Sequence, residues 1–172
     1  MEIMMFLNPE QFSITQSREM GIWPPSDLIA DSMYPYIKRM PNQVNILDIG
    51  TMKGENAYRL IELDTKNKID TIFSVKTTDE YDELIDSNLK AHYGKVIFSE
   101  PKEPVDLVCI NSNTDLDKTL NMYYSCVKSN GIFCGNNHSD KRVKEALTKF
   151  RRDNKIGTPI LVAHDIFVWY KR

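Results

Sequence analysis

The chain has 172 residues, 41% of them hydrophobic and 27% charged, with a formal net charge of -2. A chain of this length is expected to form one domain that buries about two-thirds of its unfolded surface, and its composition excludes disordered, collagen-like and coiled-coil classes. Near-neutral charge gives no overall basic field, so nucleic acid is not the default partner, and no apolar run reaches the ~18–20 residues of a membrane helix.

The opening stretch MEIMMFLNPEQF carries an acid at position 2 and no basic region, so it does not read as a signal peptide. Within 26–40, Ile29, Met33, Tyr36, Ile37 and Met40 recur at helical spacing behind Pro24-Pro25. Pro35 inside that segment is expected to kink or split the helix. Residues 1–40 read as an N-terminal extension with a cap helix, and 41–172 as the main body of a single globular domain.

Residues 44–49 (VNILDI) form a short apolar run that stops at a glycine, the pattern of a buried strand. A helix is expected over 55–64, with Ala57, Leu60 and Ile61 on one face, then a strand over 69–75. A second helix is expected over 79–92, closed by Gly94, then strands over 95–98 and 105–110. Leu116, Leu120, Tyr123, Tyr124 and Val127 make 115–128 an amphipathic helix, and Gly131 opens the next strand, IFCG. Residues 140–153 repeat the helical pattern; their basic residues read as the outer face of a surface helix. The runs 159–163 and 166–170, separated only by His164-Asp165, suit a tight antiparallel hairpin.

Strands alternating with helices indicate βαβ units. The expected fold is α/β and Rossmann-like, a doubly wound, mostly parallel seven-stranded sheet with a C-terminal antiparallel hairpin. Cys109, Cys126 and Cys134 lie in apolar stretches without metal-ligand spacing, so they read as reduced thiols in a cytoplasmic protein.

Open parallel sheets bind ligands at the carboxyl ends of their strands, near the point where strand order reverses. The sharpest feature at such a tip is ILDIGTMKGENA: a strand, an acid, a Gly-x-x-x-Gly turn and a helix. Glycines permit a tight turn and close approach of backbone to a ligand, and Asp48 would repel a pyrophosphate but suits a cation. The dinucleotide pattern G-x-G-x-x-G is not met.

This stretch resembles motif I of the class I S-adenosylmethionine-dependent methyltransferases. In particular it looks like the branch reading Asp/Glu-Ile-Gly-Thr-x-x-Gly-x-Ser-Ala, which includes small-molecule O-methyltransferases. The segment VDLVCINSNTDLDKTLNMYYSCVKSNGIFCGNNH and the tail FVWYKR are similar to the same branch, so the resemblance spans roughly 26–172. It implies an S-adenosylmethionine donor held by Asp48, Gly50, Thr51 and Gly54. It also implies that Asn111 and Asn113 flank the adenine or the reacting methyl.

The chain departs from that pattern in places. An acid usually ends the second strand and accepts from the ribose hydroxyls; Lys76 stands there, and lysine donates but cannot accept. Asp79 is a nearby substitute, and Lys76 either meets the cofactor or is a solvated loop residue. Asn111, Asn113, Asn136 and Asn137 replace the acids that bind magnesium in metal-dependent members, so a metal is not expected. His138 is the candidate base and Asn137 a candidate for orienting the acceptor; alternatively His138 and Ser139 merely begin the next helix. The expected function is metal-independent methyl transfer to a small molecule. The alternatives are a catalytically silent binding or assembly module of the same fold and a nucleotide-handling protein in which Lys76 meets phosphate. An uncovered hairpin edge would offer a route to a homodimer.

Overall fold

The computed structural model describes residues 13–21, 23–25, 28–77, 82–111 and 115–172. Seven strands form one sheet in the order β3-β2-β1-β4-β5-β7-β6. They are β1 (Val44–Ile49), β2 (Ile69–Val75), β3 (Val96–Ile97), β4 (Val105–Ile110), β5 (Val127–Gly135), β6 (Leu161–Ala163) and β7 (Ile166–Tyr170). The first five run parallel; β7 pairs antiparallel with both β5 and β6. Six α-helices accompany them among the described residues: α1 (Ile14–Glu19), α2 (Ile29–Ile37), α3 (Glu55–Leu63), α4 (Asp82–Leu89), α5 (Leu116–Tyr123) and α6 (Lys141–Asp153).

Alternation along the strands sorts the core into two layers. Ile46, Leu107, Cys109, Ile132, Cys134, Ile166 and Val168 pack with α2, α3 and α4 on one face. Leu47, Ile49, Val108, Ile110, Phe133, Phe167 and Trp169 pack with α5 and α6 on the other. The stripe Val143, Leu147 and Phe150 is the buried side of α6, which leaves its lysines and arginines outside.

Several boundaries differ from expectation. Helix α1 lay below the length at which periodicity registers; a capping box marks it, Ser13 Oγ accepting from Gln16 N and Gln16 Oε1 from Ser13 N. Pro35 does not split α2, because it sits near the end of the helix and Asp31, whose carbonyl lacks an N–H from Pro35, is exposed. The helix expected over 115–128 ends sooner. A single 3-10 turn covers Tyr124–Cys126, and β5 starts at Val127, with a register irregularity before Ile132 and Asn130 at φ 65°. The hairpin turn places both His164 (φ 48°) and Asp165 (φ 66°) in the left-handed region, as a type I′ turn requires.

Candidate functional site

The strand order reverses between β1 and β4, so their carboxyl ends form the crevice of an open α/β sheet. Backbone bonds lace the neighbouring tips together. Gly50 N donates to Val75 O at 2.9 Å, Asn111 N to Ile49 O at 3.0 Å, and Asn136 N to Ile110 O at 3.4 Å. After β1 the chain turns through Gly50 (φ 72°), Met52 (φ 46°) and Gly54 (φ 84°) into α3. A Cβ on Gly54 would lie 2.7 Å from Leu89 Cδ1 of α4, so this turn needs glycine for both conformation and space.

Asp48 is completely buried at the end of β1. Its Oδ1 accepts from Asn56 Nδ2 at 2.8 Å and, more loosely, from Asn111 Nδ2 at 3.5 Å; its Oδ2 makes no hydrogen bond of good geometry, and the buried Thr51 hydroxyl that faces the carboxyl also lacks one. Burial pushes its carboxyl above the ordinary aspartate range, opposed chiefly by the Asn56 amide. Thr51 is buried in the same turn. Lys53 is buried there too and pairs with Glu55 at 3.2 Å. A buried carboxylate oxygen without a hydrogen bond, beside a left-handed glycine turn, suits a compact cation with a backbone-hugging body.

The other expected residues lie as follows. Lys76 is at the end of β2 and bonds Asp82 of α4 at 2.5 Å. Asn111 is at the β4 tip; Asn113 lies outside the described residues, as does Asp79. Asn137 is exposed with φ 56°, and its carbonyl accepts from Asp140 N. His138 is half-buried, its N–H donating to Asp165 O at 3.0 Å and its ring 6.5 Å from that of Phe167. Ser139 N and Oγ both donate to the Asp165 carboxylate, so the hairpin is clamped to the β5 tip. His92 ends a 3-10 turn with its ring edge-on to Tyr58, and His164 is in the hairpin turn. Among the described residues, no three His, Cys, Asp or Glu side chains gather closely enough to hold a metal ion. No described helix is long and apolar enough to cross a membrane.

Sequence reasoning passed over Asn56 and Lys53. The one available signal was that Asn56 occupies the serine position of the resembled motif. A groove of about 410 Å³ opens between α2 and the hairpin, walled by Leu28, Ser32, Tyr36, Leu161, Ile166 and Val168.

No family model and no curated sequence matches the chain. Solved structures do. A putative caffeoyl-CoA O-methyltransferase from Staphylococcus aureus is 18% identical with a TM-score of 0.65, over 95% of this chain and 94% of that one. An O-methyltransferase from Bacillus cereus, in complex with SAH, is 13% identical with a TM-score of 0.64, over 98% and 94%. A precorrin-6y C5,15-methyltransferase from Geobacter metallireducens is 19% identical with a TM-score of 0.63, over 82% and 87%. Structures described as RNA and tRNA methyltransferases match as well. The strand order and these likenesses show the class I methyltransferase fold.

Proposed function

We propose that the chain is an S-adenosylmethionine-dependent methyltransferase that acts on a small-molecule acceptor without a metal ion. Asp48 carries the reading. Its buried Oδ2, without a hydrogen bond of good geometry, stands at the switch point beside a glycine turn, where the cationic amino-acid end of the donor would be matched. The residues fit that donor: Gly50 and Gly54 give the turn its left-handed backbone, Thr51 lies in it, and Asn111 bonds Ile49 O at its edge. Bound there, S-adenosylmethionine supplies a methyl group made electrophilic by its sulfonium.

The protein's part is to bind, orient and move one proton. Asp48 favours the ammonium, and Asn111 keeps the β4 tip against β1. His138 takes the proton that the acceptor loses, and Asn137 orients the acceptor. The three free cysteines support a cytoplasmic setting. The edge strand β6, with Leu161 and Val162 exposed, offers the face for a homodimer.

The Lys76–Asp82 pair favours a second reading, since it occupies the place where the resembled family accepts the ribose. On that reading the chain is a catalytically silent binding or assembly module. Thermal unfolding with S-adenosylmethionine, S-adenosylhomocysteine, NAD and ATP in turn separates the two. A ligand at about 100 times its dissociation constant stabilises by roughly 2.7 kcal/mol. Stabilisation by the first two alone supports the methyltransferase; stabilisation by none supports the silent module.

A further inference from the structure

Two buried asparagines repeat one device. Asn56 of α3 accepts from Ala30 N at 2.8 Å and donates to Asp48 Oδ1 at 2.8 Å. Asn88 of α4 accepts from Ile14 N at 2.9 Å and donates to the Lys53 carbonyl at 2.8 Å. Ile14 and Ala30 lie in the first turns of α1 and α2, whose N–H groups have no partner within their own helix. Leu28, the residue capping α2, supplies no side-chain bond, so Asn56 satisfies that helix end across space. Next to Asn88, Leu89 packs on Gly54, so α4 grips two successive residues of the turn. An amide with both halves engaged in the core is demanding, because its loss strands two groups at once.

We infer that Asn56 and Asn88 are positioning residues of the donor site, through which α1 and α2 set the shape of the donor loop and the aim of Asp48. The functional half of this inference rests on the donor reading above; the linkage itself belongs to the ligand-free protein. With Oδ1 tied to Asn56, Oδ2 is the carboxyl oxygen left to meet a donor's cation. The groups facing Asp48 are the Asn111 amide and Cys109 thiol from β4, Ser74 opposite it on β2, and Thr51 from the turn. The nearby Lys53 is engaged by Glu55. Asn56 is therefore the principal donor opposing the upward push that burial gives the Asp48 carboxyl.

The test uses the full chain. Asn56→Asp and Asn88→Asp each retain an acceptor for the helix N–H and lose the donor to the loop; Asn56→Ala adds no titrating group. Affinity for S-adenosylmethionine and S-adenosylhomocysteine is measured by calorimetry from about pH 5 to about pH 9. The Asp48 carboxyl is followed by carbon NMR in the ligand-free protein. Both Asn56 variants should bind at least about tenfold more weakly at neutral pH, with the acid limb of binding moved to higher pH. Asn88→Asp should weaken binding at neutral pH, because its carboxylate cannot donate to the Lys53 carbonyl. Folded Asn56 variants with wild-type affinity and an unmoved limb would overturn the inference. So would wild-type affinity in folded Asn88→Asp. If the wild-type chain binds neither ligand, the donor reading fails, and the carboxyl titration still decides the linkage. Asp48 must then hold its proton to higher pH in Asn56→Ala than in the wild type, and an unchanged titration refutes it.

Discussion

The Lys76 ammonium stands 2.5 Å from the Asp82 carboxylate, so the tip of β2 carries an ion pair where the resembled family carries a lone acid. Both side chains are substantially exposed, and such a pair contributes about 0–1 kcal/mol, less as salt rises. Lys76→Ala should therefore cost under about 1 kcal/mol in urea unfolding. It frees Asp82 to accept from the donor's ribose, so donor affinity should hold or rise. A loss beyond about tenfold would mean that Lys76 itself contacts the donor.

Asp48 sets stability against binding. Its folded carboxyl titrates above its unfolded value. The folded chain therefore holds that proton more tightly, and the associated stability is complete below the ordinary aspartate range. It is lost as pH rises through the folded value. Asp48→Asn removes the buried charge and keeps an oxygen for Asn56. The ligand-free variant should melt higher than wild type at neutral pH, by roughly 2–4 °C for each kcal/mol gained. Its advantage should vanish in acid. The same variant should bind the donor at least about tenfold more weakly. A lower melting temperature at neutral pH would show that the charge is compensated by more than the amides around it.

The bounds of β1, β2, β4 and β7 were legible because each is a short run rich in apolar and β-branched or aromatic residues, ended by a charge, an amide or a glycine. The left-handed turn at Gly50 and Gly54 was legible for the same kind of reason, as glycine spacing after a strand. What was not legible depends on contacts between segments far apart in the chain. Asn56 and Asn88 look like solvated helix residues until α1 and α2 arrive over them. The early start of β5 depends on its pairing with Val105, which outweighs the helical spacing of Val127.

Gly54→Ala tests the turn. At φ 84° a side chain costs about 1–2 kcal/mol of backbone strain, and the new Cβ would press on Leu89 Cδ1 at 2.7 Å. The expected loss in denaturant unfolding is roughly 2–3 kcal/mol. Leu89→Ala alone should cost about 2–5 kcal/mol by opening a cavity. The double variant should lose less than the sum of the two, because the steric part of the first disappears while the backbone strain stays. Strict additivity would mean that Leu89 already yields to the methyl group.

Cys109 stands opposite Asp48 on β1 and opposite Cys134 on β5, so three groups able to carry negative charge share one buried row. Only one of them can be charged without severe repulsion. Cys134 Sγ lies 3.5 Å from Cys109 Sγ and 3.3 Å from the Val108 carbonyl oxygen. The contact with Cys134 and then burial push the Cys109 thiol well above its ordinary range, and the neighbouring Asp48 adds to the effect. The Cys109 thiol is thereby held neutral beside Asp48. A disulfide reagent that releases a coloured thiolate should therefore modify the half-buried Cys126 first. Cys109 and Cys134 should follow only at the rate of local or global opening, and all three should react at once in denaturant. Cys126→Ser should remove the fast phase entirely. A fast phase that survives in Cys126→Ser would place a reactive thiolate beside Asp48 and overturn this division of charge.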